Sequence, residues 1–111
     1  MIDWDRVADL RGEVGAEDFG MIVDIFADEV GEAIAGLRSD PDPASYEQVL
    51  HFLKGSALNI GFAALGRICQ QGELLAAEGR IEAFELEELF RVYDASWVQF
   101  REGLARCDAG T

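Results

Sequence analysis

Apolar side chains recur every three to four residues along nearly the whole chain, and only a few short breaks interrupt the pattern. That spacing places one apolar stripe on each segment at a helical pitch. After Asp3, which can cap it, a short first helix runs through Leu10. Arg11 to Ala16, with Gly12 and Gly15, reads as a break. A long helix follows from about Glu17 to Arg38, with Phe19, Ile22, Val23, Phe26, Val30, Ile34 and Leu37 as its apolar set. Ser39-Asp40-Pro41-Asp42-Pro43 stops it, because proline cannot continue a helix, and Asp42 with Pro43 can start the next, which runs to Ile60. Gly61 offers a tight turn into Phe62–Glu78, where Phe62, Leu65, Ile68, Cys69, Gly72, Leu75 and Ala76 share a face; Gly79 ends it. The last helix, about Glu82 to Arg106, carries Leu86, Leu89, Phe90, Tyr93, Trp97, Phe100 and Leu104 on one seam, and a frayed tail is expected from Asp108 to Thr111.

No stretch alternates apolar and polar residues long enough for a strand. The expected fold is all-α: an antiparallel four-helix bundle with a short additional N-terminal helix across one end. The 111 residues make one domain, with residues 1–16 as the first helix and break, 17–106 as the bundle and 107–111 as a tail.

Charge narrows the partners. Nine Lys and Arg face 22 Asp and Glu, for a formal charge of −13, which repels nucleic acid and anionic membranes. Half the residues are apolar, too many for a disordered chain. No apolar run reaches the ~20 residues that span a bilayer. The opening Met1-Ile2-Asp3-Trp4-Asp5 lacks a signal peptide's basic and apolar regions, so a cytoplasmic location with reduced thiols is expected. Cys69 fits a core stripe, and its spacing from Cys107 is unlike a metal site.

The only histidine, His51, stands out. Tyr46, Val49, Leu50, Leu53, Ala57 and Ile60 gather within about 100° of arc on their helix, and His51 lies roughly 140° from the stripe's centre, on the wet side. Lys54 and Gly55 lie one turn along the same face. A mid-helix glycine costs about 1 kcal/mol relative to alanine, and clearance for something approaching the ring would justify it. Lys54 can offset negative charge on a group attached to the imidazole. Leu58 is apolar on a wet face and fits a docking surface. Each feature has a plainer alternative: Gly55 allowing close helix packing, Lys54 pairing with Glu47, Leu58 covered by the first helix, His51 an idle surface residue. A Ser-His-Asp triad would need Ser45, Ser56 or Ser96 beside His51, and Ser56 projects to the other flank of the helix. A second histidine for a metal pair, a Glu-x-x-His motif and a glycine-rich phosphate loop are all missing.

His51-Phe52-Leu53-Lys54-Gly55-Ser56, followed by Gly61, Leu65 and Cys69, resembles the signature of histidine phosphotransfer (HPt) domains of multistep phosphorelays. Ile2-Asp3-Trp4 and Phe26-Ala27-Asp28-Glu29 resemble the family's N-terminal region and second helix, so the resemblance covers nearly the whole chain. It implies a phosphorelay intermediate without kinase or ATPase activity. His51 would be the phosphoacceptor, Lys54 the cation beside the phosphoryl group, and Gly55 the clearance residue. Glu73 matches a polar position that orients the ring, and Gln70 is a second candidate. Glu47, Leu58 and Arg67 would face the partner. The implied partners are response-regulator receiver domains and a hybrid sensor kinase, with magnesium expected on the receiver and no cofactor on this chain, which is expected to be a monomer. Two rival readings remain: an HPt-like adaptor that docks receivers or kinases without taking phosphate, and a dimeric structural bundle. Phe52 stands where the dimerisation helix of a sensor kinase usually has Glu or Asp.

Overall fold

The computed structural model describes residues 1–109, with side chains described through residue 106. Five α-helices follow one another: α1 (Trp4–Val14), α2 (Ala16–Ser39), α3 (Tyr46–Ile60), α4 (Ala63–Ala77) and α5 (Leu86–Ala109). The fold is all-α, and no strand occurs among the described residues. The apolar stripes meet in one core. Val30, Leu50, Leu53, Ala57, Phe62, Leu65, Cys69, Leu89 and Phe100 are at or near zero exposure, each a member of a stripe legible in the sequence.

Several boundaries differ from expectation. The break expected over Arg11–Ala16 narrows to Gly15 alone. Helix α1 continues to Val14 because Gly12 sits exposed, where its flexibility costs only about 1 kcal/mol. Gly15 then turns the chain at φ 86°, a conformation natural to glycine. Residues Pro43–Ser45 form a 3-10 turn rather than the first turn of α3. Asp42 caps it, its carboxylate accepting from the Ala44 amide at 3.1 Å. The last helix starts at Leu86, not Glu82, with Ile81–Ala83 as another 3-10 turn. Phe84 is pulled into extended backbone (ψ 130°) as its ring closes over Gly72; a Cβ there would meet the ring at 2.9 Å and Leu50 Cδ1 at 2.5 Å. At the far end α5 runs through Ala109, so Asp108 and Ala109 are helical where a frayed tail is expected; Gly110 and Thr111 lie outside the described residues.

One end of the bundle is stapled by α1. The Asp3 amide donates to the Gly61 carbonyl at 2.7 Å, and the Ala64 amide to the Met1 carbonyl at 3.1 Å. Arg6 donates through Nε to the Asn59 carbonyl (2.9 Å) and through Nη2 to Asn59 Oδ1 (3.1 Å). Gly61 turns at φ 98°, and a Cβ there would sit 2.9 Å from the Asp3 carbonyl oxygen and from Val7. Beneath this staple Phe26, Phe62, Trp97 and Phe100 pack edge to face or tilted, centroids 4.8–5.8 Å apart, and Trp4 stacks on Phe100 at 6.0 Å.

The turn at Gly61–Phe62 also sets the register of α3 against α4. Leu58 and Gly66, four residues either side of Phe62, meet: a Cβ on Gly66 would lie 2.5 Å from Leu58 Cδ2. His51 and Glu73, eleven residues either side, meet too, about 10 Å further along at 1.5 Å per residue. No described helix is long and apolar enough to cross a membrane.

Candidate functional site

The helical pitch that buries Leu50 and Leu53 turns His51 outward, and its side chain is 74% exposed. Its Nδ1 lies 3.2 Å from Glu73 Oε2. Lys54, one turn along α3, brings Nζ to 3.0 Å from Glu73 Oε1. One carboxylate from α4 therefore bridges both basic groups of α3. It is 18% exposed against 26% for Lys54, so the ion pair sits half-sheltered beneath an open ring.

The charge on Glu73 decides what the ring can do. Partial burial pushes its carboxyl up, but close contact with Lys54 and His51 and their charge outweigh that and hold it below the usual carboxylate range. Glu73 is thus ionised at neutral pH, and an ionised carboxylate can only accept. The 3.2 Å contact then requires Nδ1 to carry the proton and donate. The lone pair of neutral His51 is left on Nε2, the nitrogen farther from the backbone. Oε1 is sealed from solvent without an aligned hydrogen bond, so the Lys54 ammonium compensates it by charge.

Around this triad the other sequence-derived residues take varied places. Gly55 has nothing within 4 Å of where a Cβ would project. Close helix packing at Gly55 is thereby ruled out, and the space above it is open. Leu58 packs over Gly66 of α4 and remains 49% exposed. Lys54 pairs with Glu73 and leaves Glu47 exposed one turn before His51. Gln70 and Arg67 are exposed on α4, and neither contacts His51 among the described hydrogen bonds and ion pairs. Ser96 is fully buried in α5 and Ser56 is half-buried on the α2 side, so neither reaches His51 among the described hydrogen bonds.

Two features escaped the sequence reading. Lys54 pairs with Glu73 across the α3–α4 seam, a contact that its own helix does not show. Phe52 is 41% exposed beside His51, against the flank of α2. Below the site, Cys69 is fully buried. Burial, then the Glu73 charge, pushes its thiol up to about 12, with Lys54 opposing. Such a thiol is inert packing. Among the described residues no group of three or more His, Cys, Asp or Glu side chains is placed to hold a metal ion.

Comparison with protein-family models matches residues 21–109 to the Hpt domain, a span that begins within α2 and leaves α1 outside it. No curated protein and no solved structure matches the chain.

Proposed function

The chain belongs to the Hpt domain family, and we propose that it relays a phosphoryl group between aspartates of response-regulator receiver domains, with phosphohistidine at His51 as the carrier. Hpt domains as a family are phosphotransfer intermediates rather than kinases or ATPases, and they work with receiver domains and kinases. The observation that carries the specific reading is the exposed imidazole whose Nδ1 is engaged by Glu73 while Nε2 is free.

The Nε2 lone pair attacks the phosphorus of an aspartyl phosphate. A P–N bond forms, the P–O bond to the aspartate breaks, and the carboxylate leaves with the electron pair. The ring becomes formally cationic, and Glu73 across Nδ1–H offsets that charge where it develops. Lys54 offers its ammonium to the arriving phosphoryl oxygens. Gly55 leaves the room a receiver needs to bring its aspartate within reach. Magnesium belongs on the receiver in this scheme. In the reverse step Nε2 leaves as a neutral imidazole, a good leaving group because Nδ1 has kept its proton.

The test mixes the protein with a receiver phosphorylated from a small-molecule donor in magnesium and reads intact mass. One added phosphoryl group, acid-labile, base-stable and absent from His51→Gln, is the expected result. Incorporation that survives His51→Gln overturns the assignment. Receiver binding with no incorporation favours the adaptor.

A further inference from the structure

Of the nine Lys and Arg in this chain, Lys54 is the only lysine, and every other cationic side chain is an arginine. The one side-chain amine therefore stands one turn from His51, where an acyl phosphate is to arrive. An acyl phosphate has two electrophilic centres. An imidazole that attacks phosphorus takes the phosphoryl group, whereas an amine that attacks the carbonyl carbon takes the acyl group. Arginine is always protonated and poses no such hazard, but a lysine that sheds a proton carries a nucleophilic lone pair. Lys54 is held in check by the neighbouring helix. Its Nζ lies 3.0 Å from Glu73 Oε1, in a pair only 26% and 18% exposed. Oε1 is sealed from solvent and has no aligned hydrogen bond, so it depends on the ammonium charge. A neutral Lys54 would leave that oxygen buried and uncompensated, which is costly. Glu47, the acid of α3 itself, is exposed and two turns back, so the pairing falls to Glu73.

We propose that Glu73 directs the reaction of an acyl phosphate to phosphorus, by keeping the Lys54 amine paired as an ammonium and closed to acylation. The proposal rests on the phosphotransfer reading and adds a chemical selectivity to it. Without the pair, the Nζ lone pair attacks the carbonyl carbon and an amide N–C bond forms. The C–O bond to phosphate breaks, phosphate leaves with the electron pair, and Nζ loses its proton to solvent. From a phosphorylated receiver the product is an isopeptide cross-link between the acceptor aspartate and Lys54, which ends the relay for both proteins. From a small acyl phosphate it is an acylated Lys54 that has lost its charge. The two oxygens of Glu73 thus act on the two competing nucleophiles: Oε2 engages Nδ1 and leaves Nε2 free, while Oε1 withholds Nζ.

The experiment incubates the whole protein with acetyl phosphate at pH 8.5 and follows acetylation of Lys54 by intact mass and peptide mapping. Glu73→Gln, nearly the same in shape, removes the charge. Labelling of His51 by phosphoramidate, which has no acyl carbon, reports whether the site is intact. Iodoacetamide reports whether Cys69, fully buried beneath the site, stays covered. The expected result is acetylation of Lys54 about tenfold faster in Glu73→Gln than in the wild type, with His51 still labelled and Cys69 still protected. With a phosphorylated receiver, Glu73→Gln should also yield an acid-stable cross-linked species that is absent from the wild type and from E73Q/K54R. Equal acetylation in wild type and Glu73→Gln, or none in either, overturns the proposal. Faster acetylation accompanied by Cys69 alkylation also overturns it, because loosening of the bundle would then expose the amine. Failure of every receiver to transfer to the wild type overturns the relay reading, while the acetyl phosphate comparison still decides the role of Glu73.

Discussion

At the scale of single residues, Glu73 is the side chain on which the site turns. A glutamine at this position could still offer its carbonyl oxygen to Nδ1–H, but it could neither hold Lys54 by charge nor offset the charge of a phosphorylated ring. We expect Glu73→Gln to slow transfer from a receiver about tenfold, equivalent to ~1.4 kcal/mol in the barrier, measured by rapid-quench kinetics. Its stability has a pH signature as well. A carboxyl lowered in the folded state stabilises the fold fully above its ordinary value of 4.5, and that contribution fades as pH falls through the lowered folded value. Urea melts between pH 7 and 3 should show an acid-side loss in the wild type that is smaller in Glu73→Gln. Cys69 behaves the opposite way. Its thiol is raised from 9.0 to about 12, so the folded state holds the proton longer, and stability present below pH 9 is lost between 9 and 12. In the native protein at pH 8.5 Cys69 should resist iodoacetamide and react only in urea, as peptide mass mapping would show; native-state labelling would contradict its inert role.

On the scale of a helix, α3 joins two demands that pull apart. Its buried face is a regular stripe, and its open face carries a glycine that no packing contact requires. Alanine at position 55 meets nothing within 4 Å, so Gly55→Ala should stabilise the fold by roughly 0.5–1 kcal/mol through helix propensity. The same methyl group stands beside the approach to His51, and transfer from a receiver should fall. A calorimetric melt and a transfer assay on one variant separate the two effects. A lowered Tm would restore a packing role to Gly55, and undiminished transfer would remove its clearance role.

For the molecule as a whole, the site and the staple occupy different parts of the bundle. His51 sits about 15 Å along α3 from Gly61, where α1 is anchored. Trp4 of α1 lies over Gly103 of α5 so closely that a Cβ there would fall 2.0 Å from Trp4 Cζ2. Gly103→Ala must displace Trp4 and should cost about 1–3 kcal/mol by overpacking. Hydrogen exchange should then quicken first in α1, while the His51–Glu73 pairing persists and His51 labelling by phosphoramidate continues. Simultaneous loss of both would show that α1 and the site form one cooperative unit.

The helices were legible because a period of 3.6 residues is written into each segment, and the buried residues of α2, α3 and α5 fall on the stripes that the spacing predicts. The outward direction of His51 and its neighbours Lys54 and Gly55 follows from the same arithmetic within one helix. Helix ends were less legible: Gly12 stays helical because it is exposed, and Phe84 leaves the helix because Gly72 on another element makes room for its ring. The identity of Lys54's partner, the proton on Nδ1 and the exposure of Phe52 beside α2 were beyond a reading of one helix at a time. Local sequence determines the conformation and the amphipathic face of each helix, because those depend on neighbours three and four residues away. Only the tertiary structure decides which carboxylate of the twenty-two meets His51, because that depends on the register in which α3 and α4 pack about the turn at Gly61.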